Sequence, residues 1–463
     1  MKKDISNRKL TLFALTWPIF IELFLHMLMG NADTLMLSQY SDDSVAAVGV
    51  ANQILNLIIV MFGFIATGTT ILIAQSLGAN QKKEAIEISY MSIAANFISG
   101  LFIGIIVFLS SNQILKMMDL PIELIPDGSI YLKIVGGLSV VQALIMTIGA
   151  VIRSYGFTRD TMYVTIGMNI INVIGNYLFI FGPFGFPVLG VQGVAISTVV
   201  SRVIGLIVIT LILVKRVDLS LRLKKLFTVP IYHLKNLLKI GIPSAGEHLS
   251  YNTSQMVITF FVTMLGAEAL TTKVYAQNLM MFIFLFSMAI SQGTQILIGH
   301  HIGARDYDSA YKRCMRSLYF AIALSIGMGI VFSFFSEQLF SIFTDSQSII
   351  SVGSILILLT IILEPGRAFN MVIINSLRAA GDVKFPVYVG ILSMWGVGVP
   401  IAYYFGIHLG YGLVGVWLSF IADEWLRGIL MYFRWKSKVW VNKGFVHAKS
   451  QASIEKRKTS LQA

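Results

Sequence analysis

One carboxylate in this chain stands where burial makes it expensive. Asp33 lies within NADTLMLSQY, residues 31–40, between the apolar runs TLFALTWPIFIELFLHMLMG and VAAVGVANQILNLIIVMFGFIATG. An ionisable residue in a bilayer-spanning segment usually faces the bundle interior and is a functional candidate by default. Farther along, GMNIINVIGNYLFIFG carries Asn169, Asn172 and Asn176 at spacings of three and four, which places them on one helical face. Thr198 adds a hydroxyl in the following apolar segment. A carboxylate, an amide stripe and a hydroxyl are oxygen ligands that a small hard cation accepts. The amides could equally hydrogen-bond Asp33 and set its affinity for a proton. The plainer alternatives are a helix-capping acid at the membrane interface and asparagines that glue helices together.

The elements that hold these residues follow from composition. Of 463 residues, 56% are hydrophobic and 13% charged, and the mean hydropathy is +0.77, far more apolar than a soluble domain. Spanning helices need about 20 mostly apolar residues each. Twelve such runs centre near residues 24, 60, 98, 140, 171, 203, 250, 285, 325, 362, 396 and 423, so the fold class expected is an all-α polytopic membrane protein. The net charge of +12 is not a nucleic-acid signal here, because Lys and Arg fall in alternate connections. They cluster at Lys2, Lys3, Arg8 and Lys9, at Lys82 and Lys83, at Arg153 and Arg159, and from Lys215 through Arg222, Lys224 and Lys225 to Lys235. The pattern resumes at Lys312, Arg313 and Arg316, at Arg378 and Lys384, and at Lys456, Arg457 and Lys458. By the positive-inside rule both termini are expected in the cytoplasm, which twelve spans satisfy. The lone Cys314 excludes a disulfide framework, and the N-terminal apolar run has no cleavage-site pattern.

The chain is also duplicated. Sliding it by 225 residues brings Pro18 onto Pro243, Glu22 onto Glu247, Arg153 onto Arg378, and GTTILIAQSLGAN (68–80) onto GTQILIGHHIGAR (293–305). After a three-residue deletion, GVQGVAIS (190–197) meets GLVGVWLS (412–419). Six spans per repeat make the repeats parallel, an arrangement that puts a binding site near the membrane midplane and transports by rocking one bundle against the other. Domains are expected at 1–214 and 237–437, joined by a cytoplasmic linker at 215–236 and followed by a basic tail at 438–463.

Duplication supplies an internal control, since positions that differ between repeats are candidates for specialised work. Asp33 faces Ile258; Asn169, Asn172 and Asn176 face Met394, Val397 and Ile401; Thr198 faces Phe420. Glu22 and Glu247, each four residues after a proline, occur in both halves and read first as shared architecture, with a polar-site role as the alternative. Glu364 has no repeat partner, Asp423 and Glu424 are placed to pair with Arg427, and His300 and His301 lack a third metal ligand nearby. The many Met and Phe residues suit a lipid face, a core, or an adaptable cavity for apolar ligands.

On NADTLMLSQYSDDSVAAVGVANQI, on INSLRAAGDVKFP with its echo IRSYGFTRDTMY, and on NIINVIGNYLFIFG, the chain resembles the multidrug and toxic compound extrusion (MATE) family over nearly its whole length. That resemblance implies two six-helix bundles in a V, expelling cationic or amphipathic compounds in exchange for Na+ or H+ by a rocker-switch motion. It implies that Asp33 binds the coupling cation, with Asn172, Asn176 and Thr198 at matching polar positions and Asn176 where some members have a second carboxylate. A monomer in a bacterial cytoplasmic membrane is expected, with no catalytic residue, no cofactor and no metal beyond Na+ at Asp33. The rival reading is a flippase for lipid-linked oligosaccharides, which would favour a cavity lined by several Arg or Lys to hold pyrophosphate; the sequence reading finds no intramembrane basic residue in helices one to six. An enzyme lacks support in any H-E-x-x-H or G-x-S-x-G motif, and a P-loop lacks its Gly-Lys dipeptide.

Overall fold

The computed structural model describes residues 10–217 and 230–446. The basic residues expected to mark the two tails (Lys2, Lys3, Arg8, Lys9; Lys456, Arg457, Lys458) and the middle of the linker (Arg222, Lys224, Lys225) lie outside these residues. Twelve long helical elements account for the twelve apolar runs. They are α1 (Leu12–Ser38), α2 (Asp42–Gly78), α3 (Lys82–Met117), α4 (Ile122–Gly136 and Ser139–Ser154, bent by 42°), α5 (Thr158–Phe181) and α6 (Gly190–Val217). The second set is α7 (Ile231–Thr263), α8 (Ala267–Gly303), α9 (Tyr307–Phe334), α10 (Gln347–Ala379), α11 (Lys384–His408) and α12 (Gly412–Lys436). Among the described residues nine helices are long and apolar enough to cross a membrane, and ten with the two segments of α4 taken as one span. The two that fall short do so because of polar inward-facing residues: α12 carries Asp423, Glu424 and Arg427, and α7 carries Glu247, His248 and Asn252.

Helix ends follow local chemistry. Thr11 Oγ1 accepts from Ala14 N (3.3 Å) at the start of α1, and Ser41 Oγ from Ser44 N (3.4 Å) at the start of α2. Such caps are worth about 1 kcal/mol each. At α9, hydrogen bonds from Ser309 hold the Asp306 carboxyl below its usual range. Inside the helices hydroxyls return their protons to the carbonyl one turn back, as in Thr70 to Ala66 and Thr294 to Ile290, since no water competes for them in a bilayer. Phe102, Leu109, Leu211, Phe334 and Leu392 project outward, a surface that lipid rather than water would cover.

Helices α1–α6 pack as one lobe and α7–α12 as another. The lobes meet along α1, α2, α7 and α8, and at one end they meet very closely. A Cβ on Gly78 would sit 2.0 Å from the His300 carbonyl oxygen, and one on Gly303 would sit 1.9 Å from that of Gln75. Only glycine allows backbones this near. Gln75 and His300, equivalent under the repeat, reach across reciprocally: Gln75 Nε2 donates to Ala379 O (2.6 Å) and His300 Nε2 contacts Ser154 O (2.9 Å). Phe445, beyond α12, donates its N–H to Gln75 Oε1 (2.8 Å) and packs in the first lobe's core. Toward the other end, past the Phe20–Phe286 stack at 4.2 Å, the two cores separate, one built from residues before 217 and the other from residues 258 onward.

Candidate functional site

The unpaired carboxylate expected from the sequence is assembled inside the first lobe. Asp33 is 5% exposed, and its Oδ1 accepts from Asn176 Nδ2 at 2.5 Å. Asn172, one turn away on α5 and within reach of Asp33, donates from Nδ2 to Thr198 Oγ1 on α6 at 3.2 Å. The Thr198 hydroxyl proton goes back to Val194 O (2.9 Å). Asn172 and Asn176 are fully buried, yet their side-chain carbonyl oxygens receive no hydrogen bond. Each buried orphan acceptor costs about 1–3 kcal/mol. Two of them beside a carboxylate form a pocket stabilised by something electron-poor among the oxygens, whether a proton or a small cation.

The structure adds a member that the sequence reading did not single out. Tyr131, buried on α4, holds its hydroxyl within reach of Thr198 and of Asn52 on α2. It directly precedes a π-helical turn, Leu132–Gly136, a local widening frequent at functional positions. Its signal was the broken run around YLKIVGG, which has no counterpart in amphipathic periodicity. Asn169 stays apart from the group, since its Nδ2 donates to Thr165 O of its own helix (2.8 Å).

Glu22 and Glu247 are paired in the same way in both lobes. Glu22 meets Arg153 at 2.6 Å and accepts from Thr161 at 3.0 Å, and Glu247 meets Arg378 at 2.5 Å. Removing one partner of a buried ion pair costs about 3–5 kcal/mol, so the repeat conserves a structural clamp at this position. One expectation needs correction: helices one to six do contain intramembrane basic residues. Lys133 lies in α4, and Arg202 lies on the buried face of α6, one turn beyond Thr198. The apolar stretch VIGLIVITLILV that follows Arg202 hides its charge from a hydropathy average, although under the second register it faces Glu424.

At the positions equivalent to Asp33 and Thr198 the second lobe has Ile258 and Phe420, both in its apolar core. Its charges lie elsewhere and are paired with opposite charges, although Glu364 Oε2, Asn370 Oδ1, Arg378 Nε and Arg427 Nε have no hydrogen bond. Arg367 meets Glu364 at 2.6 Å, Arg427 meets Asp423 at 2.6 Å and Glu424 at 3.0 Å, and Asn370 donates to Glu424 at 2.8 Å. A cavity of about 200 Å³ beside this network is lined by Glu247, His248, Tyr251, Arg378 and Arg427, with Phe64 from the first lobe. No group of three metal-ligating side chains occurs among the described residues.

Comparison with known proteins agrees with this architecture. The MatE family model matches residues 18–178 and again 243–404, so each match starts at one of the two register-defining prolines. An uncharacterised transporter, YisQ, of Bacillus subtilis (strain 168) is 62% identical over 442 residues, 96% of this chain and 97% of its own. A probable multidrug resistance protein, NorM, of Thermotoga maritima is 27% identical, over 95% of this chain and 94% of its own. Among solved structures, an outward-facing multidrug resistance MATE transporter superposes with a TM-score of 0.84 at 21% identity, covering 92% of this chain and 95% of that one. A MATE structure in the bent conformation gives 0.85 at 19% identity, over 92% and 94%. Likeness at these identities speaks to the fold, and the sequence matches carry the kinship. With both halves matched by one family model and both built as six-helix lobes, this chain is a multi-pass membrane transporter that belongs to the MatE, or multidrug and toxic compound extrusion, family.

Proposed function

We propose that the protein is a secondary antiporter that exports amphipathic or cationic toxic compounds in exchange for Na+ or H+, with Asp33 as the residue the coupling ion loads. The observation that carries this reading is the Asp33 pocket, in which a nearly inaccessible carboxylate adjoins two amide carbonyls with no donor. Loading cancels one buried negative charge and offers the orphan oxygens a partner. The hydrogen bonds among α1, α5 and α6 then rearrange, and substrate affinity changes with them. Coupling requires that the ion bind the two conformations unequally. The glycine-tight seam at one end and the separate cores at the other are the two surfaces between which such a rocking motion would alternate.

In this reading the closed end, which carries the basic turns, faces the cytoplasm of a bacterial cell, and the chain works as a monomer without a cofactor. One elementary charge moving through 100 mV releases about 2.3 kcal/mol, enough for roughly a fiftyfold substrate gradient. The flippase rival keeps less support: Arg202 and Lys133 supply basic groups, but a pyrophosphate site would want several on one cavity wall, and both halves match the MatE model. The test is efflux of a fluorescent amphipath from proteoliposomes under an imposed Na+ gradient and, separately, an imposed pH gradient. One gradient should drive wild-type transport, and Asp33→Asn should abolish it while the protein still folds. Wild-type efflux from that variant would overturn the assignment.

A further inference from the structure

Among the described residues, Arg153, Arg367, Arg378 and Arg427 each have a carboxylate within 2.6 Å, on Glu22, Glu364, Glu247 and Asp423 respectively, and Arg434 has Asp382 at 2.8 Å. Arg202 differs. Among the described residues it has no ion-pair partner, and its buried Nε has no hydrogen bond. It stands on the inward face of α6 with Thr198, Ser201, Gly205 and Ile209, opposite the exposed Val203, Ile204 and Ile207. The carboxylate nearest to it is Asp33, whose charge acts on it from beyond ion-pair distance. Across from it on α1, His26 shares the face of Glu22 and Asp33 and lies near Arg202, and Arg202 itself is only partly buried. A guanidinium without a counter-ion is costly inside a membrane, and one whose donors border open space can be satisfied by a ligand.

Resting on the antiport reading above, we infer that Arg202 binds an oxyanion, such as a carboxylate, on the exported compound, so that this lobe selects amphipaths bearing an acidic group over plain monocations. Charge arithmetic separates this role from coupling. Loading Asp33 raises the pocket's charge by one whether or not Arg202 is present, so Arg202 tunes how readily Asp33 is loaded without changing the charge that the step moves. What it sets is the baseline: Asp33 and Arg202 sum to zero, so a monocation meets no net attraction, whereas a carboxylate gains charge-assisted hydrogen bonds with a planar, always-charged donor. The repeat makes the same point, because the equivalent residue in the second lobe is Glu424, already engaged by Arg427 and Asn370.

The test uses two dyes that differ only at the acidic group, rhodamine 19, with a free carboxylate, and its ethyl ester rhodamine 6G. Binding to the purified full-length protein in detergent is read by fluorescence anisotropy, and no gradient is imposed. Wild type should bind the carboxylate dye more tightly than the ester. Arg202→Gln should weaken the carboxylate dye by roughly tenfold to a hundredfold and tighten the ester, and Arg202→Lys should restore part of the carboxylate affinity. Equal binding of the two dyes by wild type, or a shift of both dyes in the same direction in Arg202→Gln with no rescue by Lys, overturns the inference. Because the readout is binding, these results stand whatever the proteoliposome experiment says about antiport, and failure of gradient-driven efflux alone would count against antiport only.

Discussion

The two lobes were built from one plan and hold their charges in opposite ways. In the second lobe four carboxylates, Glu247, Glu364, Asp423 and Glu424, interlock with three arginines, and each finds a partner within about the length of a strong hydrogen bond. In the first lobe the shared clamp, Glu22 with Arg153, is closed in that way, as is the more exposed pair of Asp160 with Arg216 at the helix ends. Asp33 has a single amide donor, two neighbouring carbonyls have none, and Arg202 has no carboxylate. A network of paired charges gains less from a charged ligand, because each charge already meets an opposite one. An under-satisfied one pays a standing cost that a ligand relieves. The comparison supports the proposal that ion and substrate chemistry belong to the first lobe and a stiffening role to the second.

Exchanging the carboxylate between lobes should have the largest effect. The double variant Asp33→Ile, Ile258→Asp keeps composition and total charge but moves the acid to a site without facing asparagines. Gradient-driven efflux from proteoliposomes should fall to the level of empty vesicles, and retained transport would mean that the lobes are interchangeable. Next in size is Arg427→Ala, which strands Asp423 and Glu424. It should destabilise the protein by about 3–5 kcal/mol, read as a lower melting temperature in detergent, whereas Asp33→Asn should melt at or above wild type. Similar melting of Arg427→Ala and wild type would remove the stiffening role.

The smallest effect concerns the part in which the lobes agree. His300→Leu removes one cross-seam hydrogen bond of about 1 kcal/mol and should shift the ratio of closed to open seam by roughly fivefold, whereas Gln75→Leu removes two, to Ala379 and from Phe445, and should shift it further. Distances between spin labels across that end would measure it. Unequal shifts from the two variants would show that Phe445, which bonds only Gln75, breaks the symmetry of the seal.

Much of this was legible in the sequence because the bilayer is a severe solvent. It demands about 20 apolar residues per span, so twelve runs read as twelve helices, and it makes each buried polar group conspicuous, which is how Asp33, Asn172, Asn176 and Thr198 stood out. The repeat went further, since a shift of 225 residues compares each position with its own duplicate without any other sequence. It exposed Asp33 against Ile258 and foresaw that Glu22 and Glu247 would have like surroundings.

Only the tertiary structure decided which polar groups are satisfied. Asn169 follows the same helical spacing as Asn172, yet it bonds its own backbone while Asn172 reaches Thr198, a difference of facing direction that spacing does not contain. Arg202 and Arg427 are alike in the sequence, each a charge in an apolar helix. Arg427 pairs with two carboxylates of its own helix, and Arg202 has none within ion-pair distance, its nearest being Asp33 on another helix. Sequence fixes the cost of placing a charge in the membrane, and the fold fixes what meets it there.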